Sequence, residues 1–252
     1  MSSRGVADIV FCLDASTSMK PCIDGVRQHV VSLIEGLTES SQVRWDARFD
    51  FLAYAASEAG QGRCVFRLQS ALNEDFDSLH EGLYGEGSGR FFTDDVGQLK
   101  KQLDRVVVSG DEASLVALDS ALDFPWRDAA QCHRVVVLMT DEPFERGVFL
   151  AEQRERLAEL QRKIQELRVM LYMVTPESAV FSRLAEVDRC EHIVVGSTGD
   201  GLAQVDFREV LGYIGKSVSA AGQQQAASVQ PRRALFGQDR WVRTDSWSSR
   251  EG

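Results

Sequence analysis

The 252-residue chain is 44% hydrophobic and 26% charged, a globular composition with apolar material for one sizeable core. Its formal net charge of −10 excludes the Lys/Arg excess on which non-specific nucleic-acid and anionic-membrane binding depend. No run approaches the ~20 apolar residues of a membrane helix, and the polar start followed by a strand-length apolar run argues against a signal peptide. The five cysteines (Cys12, Cys22, Cys64, Cys132, Cys190) form no CxxC pair and no zinc-spaced cluster. They read as reduced thiols of a cytoplasmic protein, with Cys12 in an apolar run and buried.

Asp8 to Leu13 is a short apolar run that stops at Asp14, the pattern of a parallel strand buried on both faces. Pro21 suits the first turn of a helix, and Ile23, Val26, Val30, Ile34 and Leu37 follow at helical spacing. Trp45 to Tyr54 and Cys64 to Leu68 predict two antiparallel strands joined through the glycine-containing stretch 58–62. Residues 71–90 are acidic and glycine-rich and predict a long surface loop with room for one helical turn. Asp94 and Asp95 open a helix through Val106, their charges placed at its N-terminus. A further helix is expected from Glu112 to Leu122.

Arg134 to Met139 is a second buried strand, ending at Thr140 and Asp141. Residues 149–167 predict one long charged helix with Leu157, Leu160, Ile164 and Leu167 as its apolar stripe. A strand at 169–174, a helix at 177–187, a strand at 192–195 and a closing helix at 203–219 complete the pattern. Strands alternating with helices predict an α/β, Rossmann-like, doubly wound and mostly parallel sheet with one antiparallel edge strand and helices on both faces. The domain spans 1–221. Residues 222–252 form a flexible tail whose last 22 residues carry five arginines and three acids. Phe236, Arg240, Trp241 and Trp247 give it the composition of an interface hot spot, a docking segment for a partner or for the acidic body of its own domain.

Ligands of open α/β sheets bind beyond the carboxyl ends of the strands. Two such ends carry AspAlaSerThrSer (14–18) and ThrAspGluPro (140–143), and SerGlyAspGlu (109–112) precedes a helix leading to the second. Asp14, Ser16, Ser18, Asp111 and Asp141 are hard oxygen donors, suited to Mg2+ or Mn2+. The alternation of Asp14, Ser16 and Ser18 lets a turn aim all three at one centre. Each of these residues alone is a common cap or turn residue; it is their order that points to a metal. His29, His80, His133 and His192 are scattered and read as structural or solvated. Glu142 reads as a neighbour of the site or a surface residue, and the Glu/Arg-rich 152–168 as a surface helix.

AspAlaSerThrSerMet after the first strand, with a ThrAspGlu after a later one, resembles the metal-ion-dependent adhesion site of von Willebrand factor A domains. The resemblance covers roughly residues 6–220 and matches residue by residue at Asp14, Ser16, Ser18 and Asp141. The family's threonine loop is replaced by SerGlyAspGluAlaSer (109–114), so Asp111 stands in for the threonine. Members attached to certain atypical kinases have a similar Gly-Asp loop followed by a Trp, here Trp126. The resemblance implies a non-enzymatic adapter that grips a partner's Asp or Glu through the metal. For cytoplasmic stand-alone members it also implies association with MoxR-type AAA+ ATPases and bacterial stress or conflict systems. Two other readings compete. A magnesium-dependent phosphatase of the haloacid-dehalogenase kind would need Asp-x-Asp, but Ser16 occupies the acid/base position. A metal-independent scaffold would act through the tail alone.

Overall fold

The first apolar run lies inside a longer strand, β1 (Arg4–Asp14), in the middle of the sheet. The structure, a computed structural model, describes residues 4–21, 23–39, 44–58, 64–85, 89–196, 202 and 241–242. The strands β2 (Arg44–Glu58), β3 (Cys64–Ser70), β4 (His133–Met139), β5 (Val169–Pro176) and β6 (Cys190–Val195) surround β1 in the order β6-β5-β4-β1-β2-β3. All neighbours among these pair in parallel except β2 and β3, which form the expected antiparallel hairpin. The strand order reverses between β1 and β4, and a crevice at such a switch point is where this architecture binds ligands.

The helices are α1 (Ile23–Glu39), α2 (Phe76–Tyr84), α3 (Val96–Leu103), α4 (Ser114–Leu122), α5 (Leu150–Glu155), α6 (Leu157–Leu167) and α7 (Ala179–Ala185). Successive β1 side chains point to opposite faces. Ile9, Phe11 and Leu13 pack with Val26, Val30 and Ile34 of α1 and Leu99 and Leu103 of α3. Val10 and Cys12 face Leu115 and Leu118 of α4, Leu160 and Ile164 of α6 and Phe181 of α7. Both faces of β1 are therefore covered, which is why its sequence lacks the polar alternation of a half-exposed strand.

Two sequence expectations are revised, and one short strand is added at the sheet edge. The acidic stretch 71–90 holds a nine-residue helix, α2, because Asp75 and Ser78 close a reciprocal capping box at its start. The single helix expected at 149–167 is two, α5 and α6, which meet at Arg156 (φ −90°, ψ −3°). The edge at β3 is not bare: Trp241 and Val242 of the tail form a two-residue strand, β7, parallel to Cys64 and Val65. The expected closing helix at 203–219 and the tail residues Phe236, Arg240 and Trp247 lie outside the described residues.

Two buried polar clusters tie the layers together. Lys163 of α6 reaches Asp119 at 2.6 Å and Asp123 at 2.7 Å, and Tyr84 of α2 donates to Asp123. Asp50 of β2 accepts from the backbone N–H groups of Phe51, Ala71 and Phe92 at 2.9, 2.9 and 3.0 Å, pinning two loops to the sheet.

Candidate functional site

The parallel register Leu13↔Met139 sets the ends of β1 and β4 side by side. Asp14, the last residue of β1, is fully buried. Its Oδ1 accepts from the backbone N–H of Ser16 at 2.7 Å, and its Oδ2 accepts from the Thr140 hydroxyl at 2.5 Å. The first bond turns the chain sharply at the strand end, and Thr17–Met19 continues it as a single 3-10 turn. That turn brings the Ser16 and Ser18 hydroxyls to 2.9 Å from each other. The Ser18 hydroxyl lies 2.8 Å from Asp141 Oδ1 and 3.4 Å from Glu112 Oε1.

Backbone hydrogen bonds lock the third loop against the first. Ser109 N donates to Ala15 O at 2.8 Å and Thr17 N donates to Gly110 O at 2.9 Å. Asp111 exchanges both backbone bonds with Ala56 of β2. Gly110 lies at φ +82°, and a Cβ there would stand 2.5 Å from Ala56 O, so the approach of this loop to β2 requires glycine. Glu112 O accepts from Val148 N at 2.9 Å, which fixes the next residue from the β4 side.

Asp14, Ser16, Ser18 and Asp141 thus converge as the sequence pattern predicts. Asp111 does not join their hydrogen-bonded set. Its side chain is exposed, and the buried acid that reaches the serines is Glu112. The reason is a one-residue alternation: in the extended segment bridged to Ala56, neighbouring side chains point opposite ways. Thr140 is the second residue the sequence pattern left without a role; its signal was its place between an apolar strand and Asp141. Trp126 is buried against Phe92 in the core, with Nε1 donating to Leu122 O at 3.1 Å, and takes no part.

The electrostatics are one-sided. Burial, and then the neighbouring Glu112 charge, push Asp14 up to about 8. Burial, with the Glu142 and Asp141 charges, pushes Glu112 up to about 7, against a hydrogen bond from Ser16. Burial also raises Asp141. None of these three acids makes an ion pair among the described residues. Arg146 lies 3.7 Å from the more exposed Glu142. Among the described residues no three His, Cys, Asp or Glu side chains are grouped so as to hold an ion alone. An ion here must also draw on the hydroxyls of Ser16 and Ser18.

No known family's sequence pattern matches the chain, and no curated protein does. Solved structures share its fold. Proximal thread matrix protein 1 from the mussel byssus aligns over 88% of this chain and 47% of its own, at 16% identity and a TM-score of 0.52. The PilB minor pilin from Streptococcus sanguinis aligns over 86% and 63%, at 9% identity and a TM-score of 0.55. A von Willebrand factor type A protein from Catenulispora acidiphila aligns over 83% and 42%, at 16% identity and a TM-score of 0.49. A further structure of the mussel protein has zinc in its metal-ion-dependent adhesion site motif, at 14% identity over 86% of this chain and 46% of that one, TM-score 0.49. The chain spans less than two thirds of each of these proteins. The likeness to the mussel and pilin structures is one of fold alone, a mostly parallel sheet flanked by helices.

Proposed function

We propose that this chain is a protein-interaction module that binds one divalent metal at the β1–β4 switch point and uses it to hold a partner. The observation that carries the reading is the convergence of Asp14, Ser16, Ser18, Glu112 and Asp141 into one largely buried, all-oxygen set whose three acids make no ion pair among the described residues. Buried acids without a counter-charge are costly, and a bound cation relieves that cost. The donor types fit magnesium or manganese, which favour oxygen ligands and often keep waters.

Asp14 is held on two sides, by Ser16 N and by Thr140, so its carboxylate is oriented before anything binds. Ser16 and Ser18 present their hydroxyls from a turn bonded to the 109–112 loop. Asp141 enters from β4. When bound, the ion supplies a Lewis-acidic position that an oxygen from another protein can fill. The module is read as a binder and not an enzyme, because Ser16 stands where a haloacid-dehalogenase phosphatase needs its acid/base carboxylate. A cytoplasmic setting and a MoxR-type AAA+ ATPase partner go with this reading on the family resemblance. Among the described residues no helix is long and apolar enough to cross a membrane.

Calorimetry with Mg2+ and Mn2+ tests the metal. The wild type should bind one ion, and the Asp14→Ala/Ser16→Ala double variant should bind none; equal heats from the two would refute the site. Partner capture should be lost in chelator and restored by metal.

A further inference from the structure

Glu112 sets this site apart from one built on hydroxyls alone. It is buried and its carboxylate reaches Ser18, so it stands with Asp14 and Asp141 as a third acid of the set. Unlike a residue on an untethered loop, it is not free to swing in and out. The residue before it is bonded twice to Ala56, its own carbonyl accepts from Val148, and helix α4 begins two residues later.

Resting on the metal-binding reading above, we propose that Glu112 is a specificity-determining residue. It is a carboxylate of the chain's own within 3.4 Å of the Ser18 hydroxyl, so an incoming acidic side chain would meet its charge beside the ion. The partner group that completes the ion's sphere is then an uncharged oxygen (a backbone carbonyl, an amide or a hydroxyl) instead of the Asp or Glu that the family resemblance implies. Charge counting supports this. Two carboxylates balance a divalent ion and leave a neutral site that accepts a third. Three carboxylates leave one net negative charge, and a fourth must approach against it in a half-buried setting where charges are weakly screened. An uncharged oxygen meets no such opposition.

Water-proton relaxation of the Mn2+-loaded full chain reads this out, because small ligands that enter the sphere displace manganese-bound water. Acetate and its uncharged counterpart acetamide are the probes, on wild type and on Glu112→Gln. In the wild type acetate should displace water no better than acetamide. In Glu112→Gln acetate should act at roughly ten-fold lower concentration, or less, than in the wild type. Equal potency of acetate in the two proteins would overturn the role of Glu112. So would loss of Mn2+ from both Glu112→Gln and Glu112→Thr, since Glu112 would then be a ligand the ion cannot do without. Failure of the wild type itself to bind Mn2+ would instead overturn the metal site, a distinct result.

Discussion

The crowded acids make the stability of the metal-free protein depend on pH in an unusual direction. Asp14 sits near 8 and Glu112 near 7, both raised chiefly by burial, whereas a carboxyl in an unfolded chain titrates at about 4. A raised carboxyl favours its neutral form in the fold. Its contribution to stability is fully present below about pH 4 and is lost as pH rises toward about 8. Each roughly tenfold strengthening of proton binding on folding corresponds to about 1.4 kcal/mol. The Glu112 charge itself raises Asp14, so the two contributions do not simply add, and the expected loss is on the order of 4 kcal/mol. Urea unfolding in chelator at about pH 5 and about pH 8 measures it. The metal-free wild type should be the less stable at the higher pH, the opposite of a protein whose acids are ion-paired. Asp14→Asn should flatten the dependence, because an amide keeps an acceptor for Ser16 N and the Thr140 hydroxyl can accept from its nitrogen. Excess Mg2+ should stabilise the wild type far more at pH 8 than at pH 5. A metal-free stability that is flat or rises with pH would refute the reasoning.

Gly110→Ala should cost about 2–4 kcal/mol, from the positive φ and from disrupting the Asp111–Ala56 bridge, and should weaken Mg2+ binding in calorimetry by displacing the neighbouring Glu112. Asp50→Asn sets an amide nitrogen against one of three backbone N–H donors; a loss of about 3 kcal/mol in urea unfolding is expected, with Mg2+ affinity unchanged. Lys163→Met removes the buried cation that Asp119 and Asp123 share and should destabilise by about 3–5 kcal/mol, measured the same way.

The sheet and the path of the chain through it were legible because β1, β4 and β5 are apolar on both faces and the helices between them carry clear stripes. Asp14, Ser16, Ser18 and Asp141 were legible because a strand end fixes where a short polar motif must point. Glu112 was not. Asp111 and Glu112 are both acidic and adjacent, and only the backbone pairing of Asp111 with Ala56 decides which one turns inward. That pairing joins residues far apart in sequence, and no local pattern announces it. Helix α2 was hidden for a different reason: its acidic, glycine-rich surroundings look like loop, while the Asp75–Ser78 cap that starts it spans only four residues. The break at Arg156 likewise leaves the apolar stripe of α6 unaltered, so periodicity alone gave no sign of it.

The bonds that join Ala15 and Thr17 to Ser109 and Gly110 bear on how long the site's arrangement endures. β1 lies between β2 and β4, and its amides are of the kind that exchange with solvent only when the whole molecule opens. Ser109 N and Thr17 N are tied directly to the loop that leaves this strand, so their exchange should track that of β1 and lag behind that of exposed loop amides. A segment that opens together with the central strand has little chance to sample alternative shapes between openings. Metal capture would then meet a cradle already shaped, and the speed of capture would be set by the shedding of water from the ion and not by rearrangement of the protein.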